Sequence, residues 1–321
     1  MNNNFPVDAQ GDMTLLVIMV LVGLLVAASI MVIAKARRVI AESGPVPQEE
    51  GMSYPMVLGA MLVVAGAITF LLKTGWEANN AMLNTFAFTV FPYLALAIFL
   101  IGSVYRYLNR GFQVSSLSSE FLERKKLFWG SQPFHYGILF LFFGHLIAFL
   151  FPSSVLAWNG SPVRLLILEM AAFAFGLSVL VGLSLLIKRR LSSSKVLVVT
   201  NRMDMLVYTI LLVQVISGLT VAFGDRWGSS WFASVLTPYL RSVLAFNPDV
   251  AAVSAMPWTV KLHIFSALFI IAVIPFTRFM HFLVAPVDYI WRSYQLVIWN
   301  WNRNTIRKST SWFFGYKAKN H

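Results

Sequence analysis

The stretch FHYGILFLFFGH, Phe134–His145, decides how this chain is read. It holds two of the five histidines, ten residues apart, with almost only apolar residues between them. An ionisable group at membrane depth is costly and is usually there for a function. The rest of the chain shares this character: 58% of its 321 residues are hydrophobic and 12% are charged. A soluble domain carries about 25% charged residues. Several runs reach the roughly 20 apolar residues that a helix needs to cross the hydrocarbon core.

The fold class predicted is therefore all-α, an integral membrane bundle of about seven helices. They fall at roughly 13–34, 53–73, 86–106, 133–151, 164–187, 204–223 and 259–284. A spanning sheet with open edges would leave backbone groups unsatisfied in lipid. The first run follows Asp8 and Asp12 with no preceding Lys or Arg, so it reads as a retained span rather than a cleaved signal. The net charge of +12 sits in the connections between spans. Nineteen Lys and Arg residues lie on one side and five on the other, with Arg278 inside the last span. Cytoplasmic loops carry the excess of positive charge, which places the N-terminus outside and the C-terminus in the cytoplasm. This topology accounts for the basic balance without nucleic acid. The connection 224–258 faces outside, and a short amphipathic helix on the membrane surface is expected there.

Cysteine is absent. That excludes thiolate-held iron–sulfur clusters, covalently attached c-type haem, Cys-based zinc sites and disulfides. The ligand-competent residues left are His135, His145, His263 and His281, all in the fourth and seventh spans. Ten residues of helix separate the first two by roughly 15 Å, and eighteen separate the second two by roughly 27 Å on one face. The two spans run antiparallel, so His135 meets His281 on the inner side and His145 meets His263 on the outer side. A kink near Pro275 is expected to absorb the difference in spacing. Haem iron takes two axial histidines from facing helices, whereas zinc wants four close ligands. Two b haems at different depths would form an electron path across the membrane. Gly137 and Gly144 give room for a porphyrin edge.

These residues carry a resemblance. FPYLALAIFLIGSVYRY, SSEFLERKK, FHYGILFLFFGHL, LLIKRRL and KLHIFSALFIIAVIPFTRFMHFLVAPVDYIWRSYQLV, with the ten- and eighteen-residue histidine spacings, resemble the cytochrome b (gamma) subunit of membrane-bound respiratory nitrate reductase and its nitrite-oxidising relatives. The resemblance divides the chain into a two-helix extension (1–85), a five-helix di-haem core (86–298) and a basic, aromatic tail (299–321). It implies an inner haem on His135 and His281, an outer haem on His145 and His263, and a bacterial cytoplasmic-membrane location. It further implies quinol oxidation beside the outer haem, near Gly144, His145 and Arg164. Electrons would pass to cytoplasmic iron–sulfur and molybdopterin subunits that reduce nitrate to nitrite.

Several alternatives stay open. The family has a lysine near the start of the fifth span, where PVRLLILEMAAF offers Arg164 and Glu169. Arg164 is then either a donor to a quinone oxygen or an interfacial anchor. Arg278 is either a haem-propionate partner or a snorkelling cation. Arg106 reads as an interfacial anchor, the extension as an anchor or a docking pair, and the tail as a headgroup-level segment or a docking site. The same wire could serve nitrite oxidation, with electrons leaving the soluble subunits. A haem-free anchor or transporter is the reading from another class.

Overall fold

A computed structural model describes residues 54–109, 125–197 and 199–283. The expected first span (13–34) and the tail (299–321) lie outside the described residues. Within them every regular element is helical. Six helices are long and apolar enough to cross a membrane. We number them α1 (Tyr54–Glu77), α2 (Ala81–Asn109), α3 (Lys125–Leu150), α4 (Pro162–Ser192), α5 (Arg202–Gly224) and α6 (Trp258–Val273).

Polar residues mark the ends of these apolar runs. α1 stops in a turn where Asn79 takes a left-handed φ of 48°, a conformation that its short polar side chain tolerates. Asn80 then caps α2, its side chain accepting from the Leu83 amide at 3.0 Å. At α5 the Asn201 side chain accepts from Asp204 N while Asp204 accepts from Asn201 N, a reciprocal cap that satisfies two orphan donors.

α3 and α4 form the tightest pair, because glycines let their backbones approach. A Cβ on Gly182 would lie 2.5 Å from Phe134 N and 2.8 Å from Gly130 O. One on Gly137 would lie 2.6 Å from Val179 Cγ2 and 2.8 Å from Phe175 O. Gly137 is thus filled by a helix contact and offers no room to a porphyrin, contrary to expectation. In lipid, where apolar surface supplies little drive between helices, such close packing holds them together. Ser178 adds a hydrogen bond to Pro133 O at 3.0 Å.

α1 lies against α5 and α6. Its Leu72 and Trp76 join Phe88, Tyr239, Val221, Val260 and Leu262 in the main buried cluster. The cluster closes the end of the bundle where α1 and α5 finish and α2 and α6 begin. The α5–α6 connection folds into it through Phe232–Leu236 and Thr237–Leu244, with Leu236, Tyr239 and Val243 buried. The connection is expected to hold a short amphipathic helix on the membrane surface; it holds the helix Thr237–Leu244, whose Thr237, Tyr239 and Val243 are buried in the bundle.

The seventh expected span is not one helix. α6 ends at Val273, and short 3-10 turns follow at Ile274–Phe276 and Arg278–Phe282 around an extended Thr277. Pro275 lacks the N–H that would continue the ladder, and its ring clashes with the preceding turn. His263 and His281 therefore do not share one continuous helical face. Gly102 of α2 packs at the break, where an added Cβ would come 2.8 Å from Pro275 Cβ.

Candidate functional site

α3 presents His135 and His145, each with Nδ1 tied to the carbonyl one turn back. His135 reaches Ser131 O at 2.8 Å and His145 reaches Leu141 O at 2.8 Å. His281 does the same over a tighter turn, to Arg278 O at 2.7 Å. A carbonyl can only accept, so Nδ1 carries the proton in all three and Nε2 keeps its lone pair for a ligand. Such backbone bonds set the tautomer of metal-binding histidines. All three side chains are exposed on the protein surface, and among the described residues their Nε2 atoms have no hydrogen-bond partner. At membrane depth a bare acceptor costs about 2 kcal/mol or more, so these rings are suited to a guest.

His135 and His281 come together, with ring centroids 6.4 Å apart and planes at 72°. A metal-bound imidazole nitrogen lies about 2.0 Å from its metal and about 1.1 Å from its own centroid, so two imidazoles sharing one iron would have centroids roughly 6.2 Å apart. The observed separation fits an iron between them. Gly144, beside His145, meets nothing within 4 Å and leaves space there.

His263 differs from the other three. Its Nδ1 lies 3.1 Å from Ser217 Oγ and 3.2 Å from Gln214 Nε2, which also approaches Nε2 at 3.3 Å. Gln214 Oε1 accepts in turn from Ser266 Oγ. An added Cβ on Gly218 would lie 2.7 Å from His263 Cε1, so the missing side chain makes room for the ring. The His145 ring lies beside Phe232 of the connection, with centroids 5.2 Å apart and planes at 86°. Among the described residues no three His, Cys, Asp or Glu side chains gather as for a metal ion held by protein ligands alone.

The arginines are more constrained than their positions suggest. Arg106 donates to Pro275 O at 2.7 Å and Thr277 O at 2.9 Å, satisfying carbonyls released by the break after α6. It is a brace within the bundle, where the sequence suggested an interfacial anchor. Arg164 donates to Trp158 O and Ala157 O at the end of the short helix Pro152–Asn159. Glu169 accepts from the amide and hydroxyl of Ser229 at 2.9 and 2.7 Å. Arg278 is bound through Nε to Asp204 Oδ1 at 2.6 Å and through Nη2 to Val199 O at 2.8 Å.

Sequence reasoning missed Asp204, Arg190, Gln214 and the buried Lys261, which is 2% exposed two residues before His263. For Asp204 a signal existed: the N-x-x-D spacing of a reciprocal cap, and a single acid among the basic residues of the stretch 188–204. No comparable pattern marks Gln214, whose role depends on how α5 and α6 face each other.

A bundle of six helices long and apolar enough to cross a membrane, which brings His135 and His281 side by side, has the architecture of an integral membrane helical protein. The chain belongs to the nitrate reductase gamma subunit family, whose model matches residues 84–300. It is 34% identical over 218 residues to the respiratory nitrate reductase 1 gamma chain of Escherichia coli (strain K12), covering 67% of this chain and 97% of that one. Against the nitrate reductase gamma chain of Bacillus subtilis (strain 168) it is 31% identical over 208 residues, 64% of this chain and 93% of that one. A nitrate reductase-like protein NarX of Mycobacterium tuberculosis is 29% identical over 243 residues, 73% of this chain and 36% of that protein. The family match begins after α1.

Proposed function

We propose that this chain is the membrane electron-transfer subunit of a nitrate reductase complex and holds two b haems. The inner one takes His135 and His281, the outer one His145 and His263. Membership of the gamma-subunit family supports the role, and the 6.4 Å separation of the His135 and His281 rings is the observation that supports the inner ligand pair; the outer pair rests on the family resemblance. Haem iron supplies reversible one-electron transfer. This chain's residues orient the ligands: the Nδ1 bonds of His135, His145 and His281 leave Nε2 for the iron. Arg278 is the candidate propionate partner of the inner haem, with Nε and Nη2 already engaged by Asp204 and Val199.

Quinol, as substrate, would be oxidised beside the outer haem near Gly144, His145 and Arg164, where Gly144 leaves open space. Its electrons would run inward to an iron–sulfur subunit and a molybdopterin subunit that reduces nitrate to nitrite. The 19-to-5 distribution of Lys and Arg supports an outer N-terminus and a cytoplasmic C-terminus in a bacterial inner membrane. The second reading, electron flow from nitrite oxidation through the same wire, is favoured by one observation: Arg164 spends Nε and Nη2 on backbone carbonyls.

The chain in its membrane should show a b-type spectrum, with one haem lost in His135→Ala and the other in His145→Ala. Unchanged haem content in both variants rejects the assignment, and a chain without any Soret band restores the haem-free anchor. A quinol analogue should reduce the haems; if it reduces neither, quinol oxidation is removed from this chain.

A further inference from the structure

The four histidines are not held equally well by their own helices. His135 and His145 sit on the regular helix α3, bonded one full turn back. His281 sits on a five-residue 3-10 segment that Pro275 and the extended Thr277 cut off from α6. A short 3-10 piece has poorer hydrogen-bond geometry and little rigidity of its own. Among the described residues its ring is hydrogen-bonded at one atom, the carbonyl oxygen of Arg278. Whatever holds residue 278 in place therefore aims the imidazole of His281.

That hold is external to the segment. Asp204 is 5% exposed and accepts four hydrogen bonds: from Arg278 Nε at 2.6 Å and Nη2 at 3.3 Å, from Arg190 Nη1 at 3.1 Å, and from Asn201 N at 3.0 Å. These saturate a carboxylate's roughly four acceptor sites. Arg190 is fixed in turn by Tyr208 OH at 2.8 Å and Thr200 Oγ1 at 3.3 Å. A buried ion pair gives little net stability, because desolvation offsets the attraction. Its forked geometry gives direction, since guanidinium and carboxylate meet in a fixed plane. The network thus joins the end of α4, the start of α5 and the segment carrying His281.

We propose that Asp204, seated by Arg190, is a positioning residue for the inner haem: through Arg278 it fixes the angle at which His281 meets the iron. The proposal rests on the haem-ligand reading above and adds to it which side chains set that angle. Asp204 touches neither the iron nor the ring.

The test uses the full chain in its membrane, haem-loaded. Ferric low-spin haems report the angle between their two axial imidazole planes in the largest EPR g-value, and each haem reports its environment in its midpoint potential. Asp204→Asn keeps the shape and removes the charge. One of the two EPR signals, the one absent in His135→Ala, should shift or lose most of its intensity while the other stays in place. Asp204→Glu should restore part of it, and Arg278→Lys, which keeps charge but loses the fork, should move the same signal. Equal change in both haems, or in neither, across Asp204→Asn and Arg278→Lys overturns the proposal. Absence of haem from the unaltered chain overturns the haem reading itself, which separates the two failures.

Discussion

At the scale of single residues, glycines do two different jobs that the sequence alone does not distinguish. Gly182 lets α4 touch the backbone of α3, and a methyl group there has only backbone to push against, at 2.5 Å from Phe134 N. Gly182→Ala should therefore lower stability by about 1–3 kcal/mol, seen as a lower thermal midpoint in detergent. Gly144 meets nothing, so Gly144→Ala should leave that midpoint alone. An equal loss in both would mean that Gly144 is a packing residue too. Histidine is legible at this scale because an imidazole in an apolar run has few innocent explanations. Arginine is less so: Arg106, Arg164 and Arg278 each found carbonyl or carboxylate partners through the fold.

At the scale of elements, prolines set where helices fail and what must repair them. Pro92, without an N–H, leaves the Phe88 carbonyl open within α2 beside the π-helical turn Phe86–Val90. Tyr239, from the connection before α6, donates its hydroxyl to that carbonyl at 2.8 Å. Burial raises the Tyr239 pKa above its ordinary 10.0. The folded phenol thus stays protonated where the unfolded one ionises. Its contribution is fully present below about pH 10 and is lost as pH rises beyond that value. Tyr239→Phe should cost about 1–3 kcal/mol, the penalty of a buried carbonyl left unpaired. Pairs of midpoints at pH 7 and pH 10.5 should show the gap between variant and parent narrowing at the higher pH. The Pro275 break is the same physics with a different repair, the guanidinium of Arg106.

At the scale of the whole molecule, α1 is a wall of the bundle although the family match begins only at residue 84. Trp76 is 3% exposed and stacks on Phe88, with centroids 6.2 Å apart. Tyr54 OH reaches Thr200 O at 2.7 Å at the opposite end of the helix. Trp76→Ala should cost roughly 3 kcal/mol or more. Among the described residues the Trp76 Nε1 has no hydrogen-bond partner, so Trp76→Phe should be much milder. If Trp76→Ala leaves the thermal midpoint unchanged, α1 is an appended anchor and not part of the core.

Membrane insertion, the number of helices within the described residues and the four histidines were legible from the amino-acid sequence, because hydrocarbon imposes one-dimensional rules. A span must be about 20 apolar residues long, its backbone must bond to itself, and a charge inside must have a reason. The nearness of His135 and His281 was legible too, since helix alternation puts both on the same side of the bundle. What only the tertiary structure decided is how the ligands are held. The break after Val273, the brace from Arg106, the Asp204 hub and the side-chain cage around His263 each rest on contacts between residues 46 to 171 positions apart in sequence. No periodicity records such contacts. They arise because a broken helix in a low-dielectric bundle must find partners for its freed carbonyls and charges wherever the neighbouring helices supply them.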